Sequence, residues 1–415
     1  MPLLAQSPAG PAEPAWRSAE APLLTRHVQL TTRQQFAKAG EAYFSPDGQW
    51  IIFQGTPAPE GGAEPDPFYS MYVGRLVRDG QGHVTGLAEI TRVSPVGSAN
   101  TCGWFDPIDP TRVIFGSTRV KPTEEKSSGF QVGSRRYVWQ FPAEMDVVRA
   151  SPFGPAPTEG SGGRGGVREG LVLEPLISRP NYDAECSYSS DGRWLLYSHV
   201  EDRPADLAPD APYRPDANIY ILDTKTGKQI PLVTASGYDG GPFFSPDGRQ
   251  ICYRSDRKGD DLLQLFVADL AFGADGVPTG IAREYQLTDN GDVNWAPYWH
   301  PNGAFLVYAS SEVGHQNYEV FGVEVDRAKL EAAAKGAAPG STVNAANARR
   351  ARITNAIGAD VLPSFSPDGT LMMWTCQRGP LFTGETKPSS QLWIAEWNGT
   401  PEFKESAPAG KPNQP

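Results

Sequence analysis

The sequence is poor in the residues that most often build reactive centres. Its 415 residues include only five histidines and four cysteines. The histidines show neither the His-x-His nor the His-Glu-x-x-His spacing of metal sites. The cysteines are too sparse for a disulfide scaffold. These absences exclude the common histidine-based metal motifs and indicate buried free thiols.

Several signature segments of other protein classes are also missing. There is no Gly-x-Ser-x-Gly motif, which excludes serine catalysis of the α/β-hydrolase type. Glycine-rich phosphate loops are lacking, and no apolar run reaches the roughly 18 residues needed to span a membrane. The formal net charge is −11, from 37 Lys+Arg against 48 Asp+Glu. That balance argues against sequence-independent binding of nucleic acid.

A tight-turn sequence recurs along the chain between apolar segments. Its clearest copy is Ser245-Pro246-Asp247-Gly248, in which proline presets the backbone and glycine closes the turn. Related copies lie at residues 44–48, 188–192, 299–303 and 365–369. The copies are nearly evenly spaced except for one longer gap, which a degenerate copy at residues 104–117 fills. Six units of this period predict a repeat protein such as a propeller.

Each unit contains enough apolar segments for about four strands. The segment after the turn is apolar at consecutive positions, as in Ile251-Cys252-Tyr253, which is typical of a strand buried on both faces. Third strands are predicted at residues 69–73, 137–139, 218–222, 265–268, 318–321 and 392–395. The last unit lacks a fourth segment, and residues 28–31 supply the missing piece. We therefore predict an all-β fold, a six-bladed β-propeller with four-stranded blades, closed by that N-terminal strand completing the last blade.

The propeller is predicted to occupy residues 25–400. Residues 1–24 are rich in proline and alanine and residues 401–415 are polar and proline-rich, so both are expected to be disordered. One helix is predicted at residues 327–335, with Asp326 as its N-cap and Gly336 as its terminator. Because this helix has little apolar face, we expect it to be a solvent-exposed part of a loop that packs against nothing.

Oxygen-bearing side chains recur on the approach to the innermost strand of each unit. These candidate residues are Glu41, Asn100, Asp183, Asp239, Asn294 and Asp360. Equivalent positions of a propeller form a circle, so the six are predicted to surround one mouth of the central channel. When the six units are aligned on their turns, Ala39 and Ala99 stand in units one and two at the position of the recurring Asp or Asn. The same alignment makes Cys102 equivalent to Cys186.

Two interpretations of these side chains remain open. As a ring, their oxygens suit a lysine or arginine of a partner, or Ca²⁺ held by Asp183, Asp239 and Asp360. Alternatively, each side chain caps its own turn by accepting hydrogen bonds from backbone amides. The aspartates inside the turns lie at symmetric, separate positions and are predicted to be structural: Asp47, Asp191, Asp247 and Asp368.

The repeat resembles that of the TolB-type propellers. The pattern Asp-x-x-Pro-x-aromatic-Ser-Pro-Asp-Gly, followed by an apolar strand and Ser-x-Arg, is matched at residues 239–257 and nearly so at 360–378. The resemblance covers roughly residues 28–397. It implies a non-catalytic propeller that binds a protein or peptide partner at one face, and we expect the chain to be a monomer. It also implies a periplasmic or secreted location, because TolB proteins meet a lipoprotein partner in the envelope-spanning Tol–Pal assembly.

Other functions remain open beside this one. The separate α/β domain that precedes the propeller in TolB proteins is not found in this sequence, which favours a relative with another partner. Oligogalacturonate lyases resemble the same repeat family, but their histidine-rich metal site is not found here. The alternatives are an enzyme that processes a glycan or small molecule with a metal-assisted site at the channel mouth, and a structural module of a larger assembly.

Overall fold

The recurring turn is held together by its own side chains. In the clearest copy, Ser245 Oγ donates to Asp247 Oδ1 over 2.6 Å and accepts from the backbone N–H of Gln250 over 2.9 Å. Gly248 takes a left-handed backbone with φ of 68°, which glycine adopts without steric cost. The equivalent aspartates bond the serine of their own turn in the same way, namely Asp47, Asp191 and Asp368. The prediction that these aspartates are structural is therefore confirmed.

These turns join the first two strands of small antiparallel sheets. A computed structural model describes residues 14–61, 63–123, 129–131, 136–138, 141–151, 171–208, 210–338 and 340–405. Its elements are α1 (Ala15–Glu20), β1 (Leu24–Gln29), β2 (Phe36–Phe44), β3 (Trp50–Pro57), β4 (Ser70–Arg78), β5 (Val84–Arg92), β6 (Asn100–Phe105), β7 (Val113–Ser117), β8 (Gly129–Gln131), β9 (Arg136–Val138), β10 (Asp146–Ser151), β11 (Val172–Ile177), β12 (Asp183–Tyr188), β13 (Trp194–Val200), β14 (Ala217–Asp223), β15 (Gln229–Val233), β16 (Asp239–Phe244), β17 (Gln250–Ser255), β18 (Gln264–Phe272), β19 (Pro278–Gln286), β20 (Asn294–Trp299), β21 (Phe305–Ser310), β22 (Glu319–Glu324), α2 (Arg327–Ala333), β23 (Thr342–Asn344), β24 (Arg350–Arg352), β25 (Asp360–Phe365), β26 (Leu371–Cys376) and β27 (Gln391–Trp397). Within these residues no helix is both long and apolar enough to cross a membrane.

The sheets form the six blades of a β-propeller. Blade one consists of β2–β5, blade two of β6, β7, β10 and β11, and blade three of β12–β15. Blade four consists of β16–β19 with β23, blade five of β20–β22 and β24, and blade six of β25–β27 with β1. The predicted fold class is confirmed. The second strand of each blade is buried along nearly its whole length, as its apolar run predicts.

An N-terminal strand closes the ring. Strand β1 pairs antiparallel with β27, with Leu24 opposite Trp397 and Val28 opposite Ile394. The first and last parts of the chain therefore share one sheet, and the pairing protects an edge that would otherwise be open. The strand ends at Gln29 and begins earlier than the predicted residues 28–31.

The predicted third strand of blade two, residues 137–139, is wrong. Residues 136–138 form β9, which pairs with β8 in a separate hairpin, and residue 139 lies outside the described residues. The third strand is β10, which pairs with β7 on one side and β11 on the other. A long insertion between β7 and β10 contains another apolar segment ahead of the third strand. The sequence pattern alone does not distinguish the two segments.

The insertion of blade five packs onto its neighbour. Helix α2 starts after Asp326, whose side chain accepts from the backbone N–H of Lys329 as predicted. The expectation that this helix packs against nothing is wrong, because Leu330 and the residue that follows the helix, Ala334, are buried in the main apolar cluster. Strand β23 follows and pairs parallel with β19, as a fifth strand of blade four.

The predicted ends of the propeller differ from those of the structure. Residues 15–20, within the stretch expected to be disordered, form α1, and Glu20 is buried. At the other end, the backbones of Arg350 and Lys404 bond each other, and Phe403 packs against Phe305. Residues 1–13 and 406–415, which include most of the two predicted disordered segments, lie outside the described residues.

Candidate functional site

Every innermost strand of the propeller contains a β-bulge. One residue at each bulge has a left-handed backbone, with φ between 44° and 58°. These six residues, which we name the bulge ring, are Glu41, Cys102, Glu185, Gly241, Ala296 and Leu362. For a residue other than glycine this conformation costs about 1–2 kcal/mol. Bulges and backbone strain cluster at functional sites, where they re-aim side chains, so the bulge ring is a candidate functional site.

A cavity of about 340 Å³ lies at this end of the central channel. All six blades contribute to its wall. Its charged and polar lining includes Lys38, Glu41, Gln54, Cys102, Glu185 and Arg254. We name it the polar cavity. Blades one to four supply these groups, whereas blades five and six contribute the apolar side chains of Trp295 and Leu362.

A cluster of four aromatic rings separates the polar cavity from the other end of the channel. The rings belong to Tyr43, Trp104, Phe243 and Tyr298, with centroids 5.1 to 6.3 Å apart. Beyond them, beside the recurring turns, lies a second cavity of about 290 Å³ lined mainly by aromatic and proline side chains. The channel is thus polar at one end and apolar at the other.

Glu41 is a buried carboxyl group held by neutral donors. Its Oε2 accepts from Gln54 Nε2 over 2.6 Å, and its Oε1 accepts from the Cys102 thiol over 2.9 Å and the Tyr43 hydroxyl over 3.3 Å. Burial raises the pKa of Glu41 above its ordinary value, against the lowering effect of the Cys102 hydrogen bond and the charge of Arg254. Burial also raises the pKa of the Cys102 thiol, so this thiol is a hydrogen-bond donor rather than a thiolate.

Glu185 is the other carboxyl group of the ring, and it has a cationic partner. Arg254 Nη2 lies 3.1 Å from Glu185 Oε2, and both side chains are more than nine-tenths buried. The hydroxyl of Tyr238 and the backbone N–H of Gly241 also donate to Glu185. Any Cβ at position 241 would collide with the Arg254 guanidinium. Glycine in this blade therefore leaves the space that the arginine fills.

The other five predicted candidates are buried at the first position of their strands and bind groups of their own or the preceding blade. Asp183 accepts from His199 Nδ1 over 2.9 Å and from the backbone N–H of Arg179 over 3.0 Å. Asp239 and Asp360 pair with Arg257 and Arg378, the arginines of the recurring Ser-x-Arg segment and its variant. The amides bond nearby groups: Asn100 donates to the carbonyl of Tyr69, and Asn294 to Gln264 and Asn290.

The structure therefore brings only Glu41 and Asn100 of the six candidates to the lining of the polar cavity. No group of three or more His, Cys, Asp or Glu side chains suited to a metal ion occurs among the residues that the structure describes. Asp183, Asp239 and Asp360 each engage a base of their own blade, so together they do not form a shared set of oxygen ligands. Calcium binding stays a prediction without a ligand set.

The alignment of blade two is corrected by one residue. Asn100, not Ala99, pairs with Ser117 as Asp183 pairs with His199. Cys102 is consequently the equivalent of Glu185 in the bulge ring, and not of Cys186. Sequence reasoning missed Cys102 and Glu185 because the ring carries a different residue in each blade. The available signal was their position two residues after the recurring Asp or Asn.

The buried Asp239 predicts a specific dependence of stability on pH. Burial raises its pKa from 3.8 to about 7, although Arg257 opposes the shift. The native state therefore holds this proton more tightly than the unfolded state, and stability falls as the pH rises from about 4 to 7. Relative to Asp239→Asn, the wild-type protein should lose up to about 4 kcal/mol across that range, measured by urea unfolding. Replacing the exposed Asp206 by asparagine is the control, and parallel pH profiles for wild type and Asp239→Asn would contradict the prediction.

Parts of the sequence are similar to known proteins. No family model matches the chain. The Tol-Pal system protein TolB of Francisella tularensis subsp. holarctica is 27% identical over 96 residues, which are 23% of this chain and 19% of that protein. The chain is a TolB-like propeller. The resemblance noted in its repeat is thereby confirmed.

A second sequence relative and a solved structure are also similar to this TolB-like propeller. An uncharacterized peptidase, YuxL of Bacillus subtilis, is 27% identical over 179 residues, which are 38% of this chain and 25% of the peptidase. The matched regions thus cover a quarter or less of these two sequence relatives. The crystal structure of TolB from Acinetobacter baumannii superposes with a TM-score of 0.43 at 13% identity, covering 88% of this chain and 80% of that one.

Proposed function

We propose that this TolB-like propeller is a binding module that receives a segment of a protein or peptide at the polar cavity. The observation that carries the proposal is the cavity itself, about 340 Å³ in volume and bordered by all six blades. Within it Glu41 is a buried carboxyl group whose described contacts are all with neutral groups. A buried ionisable group without a charged partner is costly to keep, and a ligand that supplies hydrogen-bond donors or a cation offsets that cost.

The proposed setting is the cell envelope. The relatives named as Tol-Pal system proteins support it, and the acidic balance of the chain favours partners other than nucleic acid. We therefore propose a periplasmic or secreted monomer that contacts a protein partner at the face that carries the polar cavity. Calcium in the channel remains a secondary element of it, testable by calorimetric titration.

The proposal predicts that capture of a partner depends on the polar cavity. Immobilised protein should retain a specific partner from an envelope extract, and Glu41→Gln should reduce that retention about tenfold, because a hydrogen bond to a charged group contributes about 1.5–3 kcal/mol. Retention is measured by quantitative mass spectrometry. Glu89→Gln, an exposed change outside the cavity, is the matched control. Equal retention by the wild type, Glu41→Gln and Glu89→Gln would overturn the proposal.

An enzyme is the second candidate, and one observation favours it. In the same cavity burial raises the pKa of Glu41 and lowers the pKa of Lys38, and paired shifts of this kind cluster at catalytic sites. An enzyme acting on a glycan or small molecule would use Glu41 as a general acid. Incubation with envelope metabolites, followed by mass spectrometry, should then show products with the wild type and none with Glu41→Gln.

A further inference from the structure

Glu41 and Lys38 line the polar cavity, and neither has a described side chain of the opposite charge in contact with it. Glu41 makes no ion pair with any side chain that the structure describes, and its three side-chain donors are neutral. The ammonium group of Lys38 lies 4.2 Å from the centroid of the Tyr69 ring and likewise makes no ion pair within the described residues. The acidic side chain that acts on Lys38 is the exposed Asp66, which forms no salt bridge with it in the described part of the chain.

The other charges of the polar cavity compensate each other. Glu185 and Arg254 form a buried pair over 3.1 Å, and the Tyr238 hydroxyl donates to Glu185 as well. This pair leaves no net charge for a ligand to balance. The charges left over are one carboxyl group and one ammonium group, carried three residues apart on the same strand, β2.

The remaining wall of the polar cavity is largely apolar. It includes the rings of Phe68, Tyr69 and Trp295 and the side chain of Leu362. The faces of aromatic rings pack well against an apolar side chain and also attract cations. A ligand that fits this cavity is therefore small, carries both signs of charge, and has an apolar or aromatic portion.

We propose that the polar cavity binds a short free peptide as a zwitterion, with its ammonium group against Glu41 and its carboxylate against Lys38. The inference rests on the proposed binding function of this cavity and deepens it by naming the ligand. Each ligand charge supplies an opposite charge that the described side chains do not place in contact with Glu41 or Lys38. The apolar side chain of the peptide packs against the aromatic wall. Cys102 and Gln54 remain as donors that position the Glu41 carboxylate.

Proton linkage gives the proposal a second readout. Because burial raises the pKa of Glu41, an incoming ammonium group should bind more tightly as the pH rises and the carboxyl group ionises. The charged and titratable groups that act on Glu41 are Arg254 and Glu185 from blades four and three, with Cys102 and Tyr43 in hydrogen-bond contact. Glu41→Gln should remove this acid-range dependence of the affinity.

The test is isothermal titration calorimetry with the dipeptide Ala-Phe and two blocked forms of it. The wild-type protein should bind Ala-Phe, and both N-acetyl-Ala-Phe and Ala-Phe amide should bind at least about tenfold more weakly, because each loses one charged contact. Glu41→Gln should weaken Ala-Phe about tenfold and leave the N-acetylated form unchanged. Lys38→Met should weaken Ala-Phe and leave the amide unchanged. Glu89→Gln should behave as the wild type.

The comparison of the three peptides uses only the wild-type protein, so it does not depend on whether a variant folds. Equal affinity for Ala-Phe and either blocked form would overturn the proposal that the cavity binds a zwitterion. The absence of any heat with Ala-Phe would overturn it as well. Neither result would remove the proposed binding function, which the capture experiment tests separately. Loss of cavity-dependent capture together with tight binding of Ala-Phe would instead make a small peptide the ligand and reject the macromolecular partner.

Discussion

Glu20→Ala is expected to lower the free energy of unfolding by about 3–5 kcal/mol, because it breaks a buried ion pair by removing one partner. The Glu20 carboxylate accepts from Arg378 Nη1 and Nη2 over 2.8 and 3.0 Å, and from His27 Nε2 over 2.9 Å. It also accepts from the backbone N–H of Asn355 over 2.7 Å. These contacts fasten α1 and β1 to blades five and six, where the ring closes.

Urea unfolding at neutral pH measures this loss. Glu89→Ala is the control, since the Glu89–Arg75 pair is well exposed and such pairs contribute about 1 kcal/mol or less. If the two variants lose equal stability, the N-terminal segment does not fasten the ring as described.

The same contacts predict how the stability contributed by Glu20 depends on pH. Burial by itself raises the pKa of Glu20, but the hydrogen bonds from His27 and Arg378 outweigh it and hold the pKa below its ordinary value. A depressed acid stabilises the native state above its unfolded pKa, and that stability is lost as the pH falls through the native pKa. The gap in stability between wild type and Glu20→Ala should therefore narrow in acid.

The fold could be predicted because it repeats. The turn around Asp247 carries its own hydrogen bonds, so short-range sequence specifies it, and copies of it count the blades. Closure by the N-terminal strand followed from a missing fourth strand in the last unit. What the pattern did not contain was Glu20, a single residue whose four hydrogen-bond donors come from Arg378, His27 and Asn355, far apart in the sequence. No local signal marks such a residue.

The candidate site was predicted only in part, for a related physical reason. Asp239 and Asp360 recur because each neutralises an arginine of the same repeat, Arg257 or Arg378. Their recurrence thus reflects construction of the blade. A binding site on the axis needs different residues at the equivalent positions of the blades, because only such differences make the cavity asymmetric. Repetition therefore indicates the scaffold, and its breakdown at Cys102 and Glu185 indicates the site.

Arg254→Met is expected to destabilise the propeller by about 3–5 kcal/mol, because it leaves the Glu185 carboxylate buried without its counter-ion. Arg254 is 6% exposed and Glu185 5% exposed, so both charges are largely removed from bulk solvent. The left-handed backbone of Glu185, with φ of 57°, adds strain at the same point. Urea unfolding measures the loss, and Arg75→Met, in an exposed pair, should cost about 1 kcal/mol or less.

The double variant Glu185→Gln with Arg254→Met separates the cost of an orphaned charge from the cost of lost packing. Removing both charges leaves no uncompensated ion, and replacement of a whole buried pair is often close to neutral. Most of the lost stability should therefore return in the double variant. If the double variant is as unstable as Arg254→Met alone, the arginine acts by filling the space beside Gly241 rather than by its charge. In that case Glu185 is not the partner that determines its place in the channel.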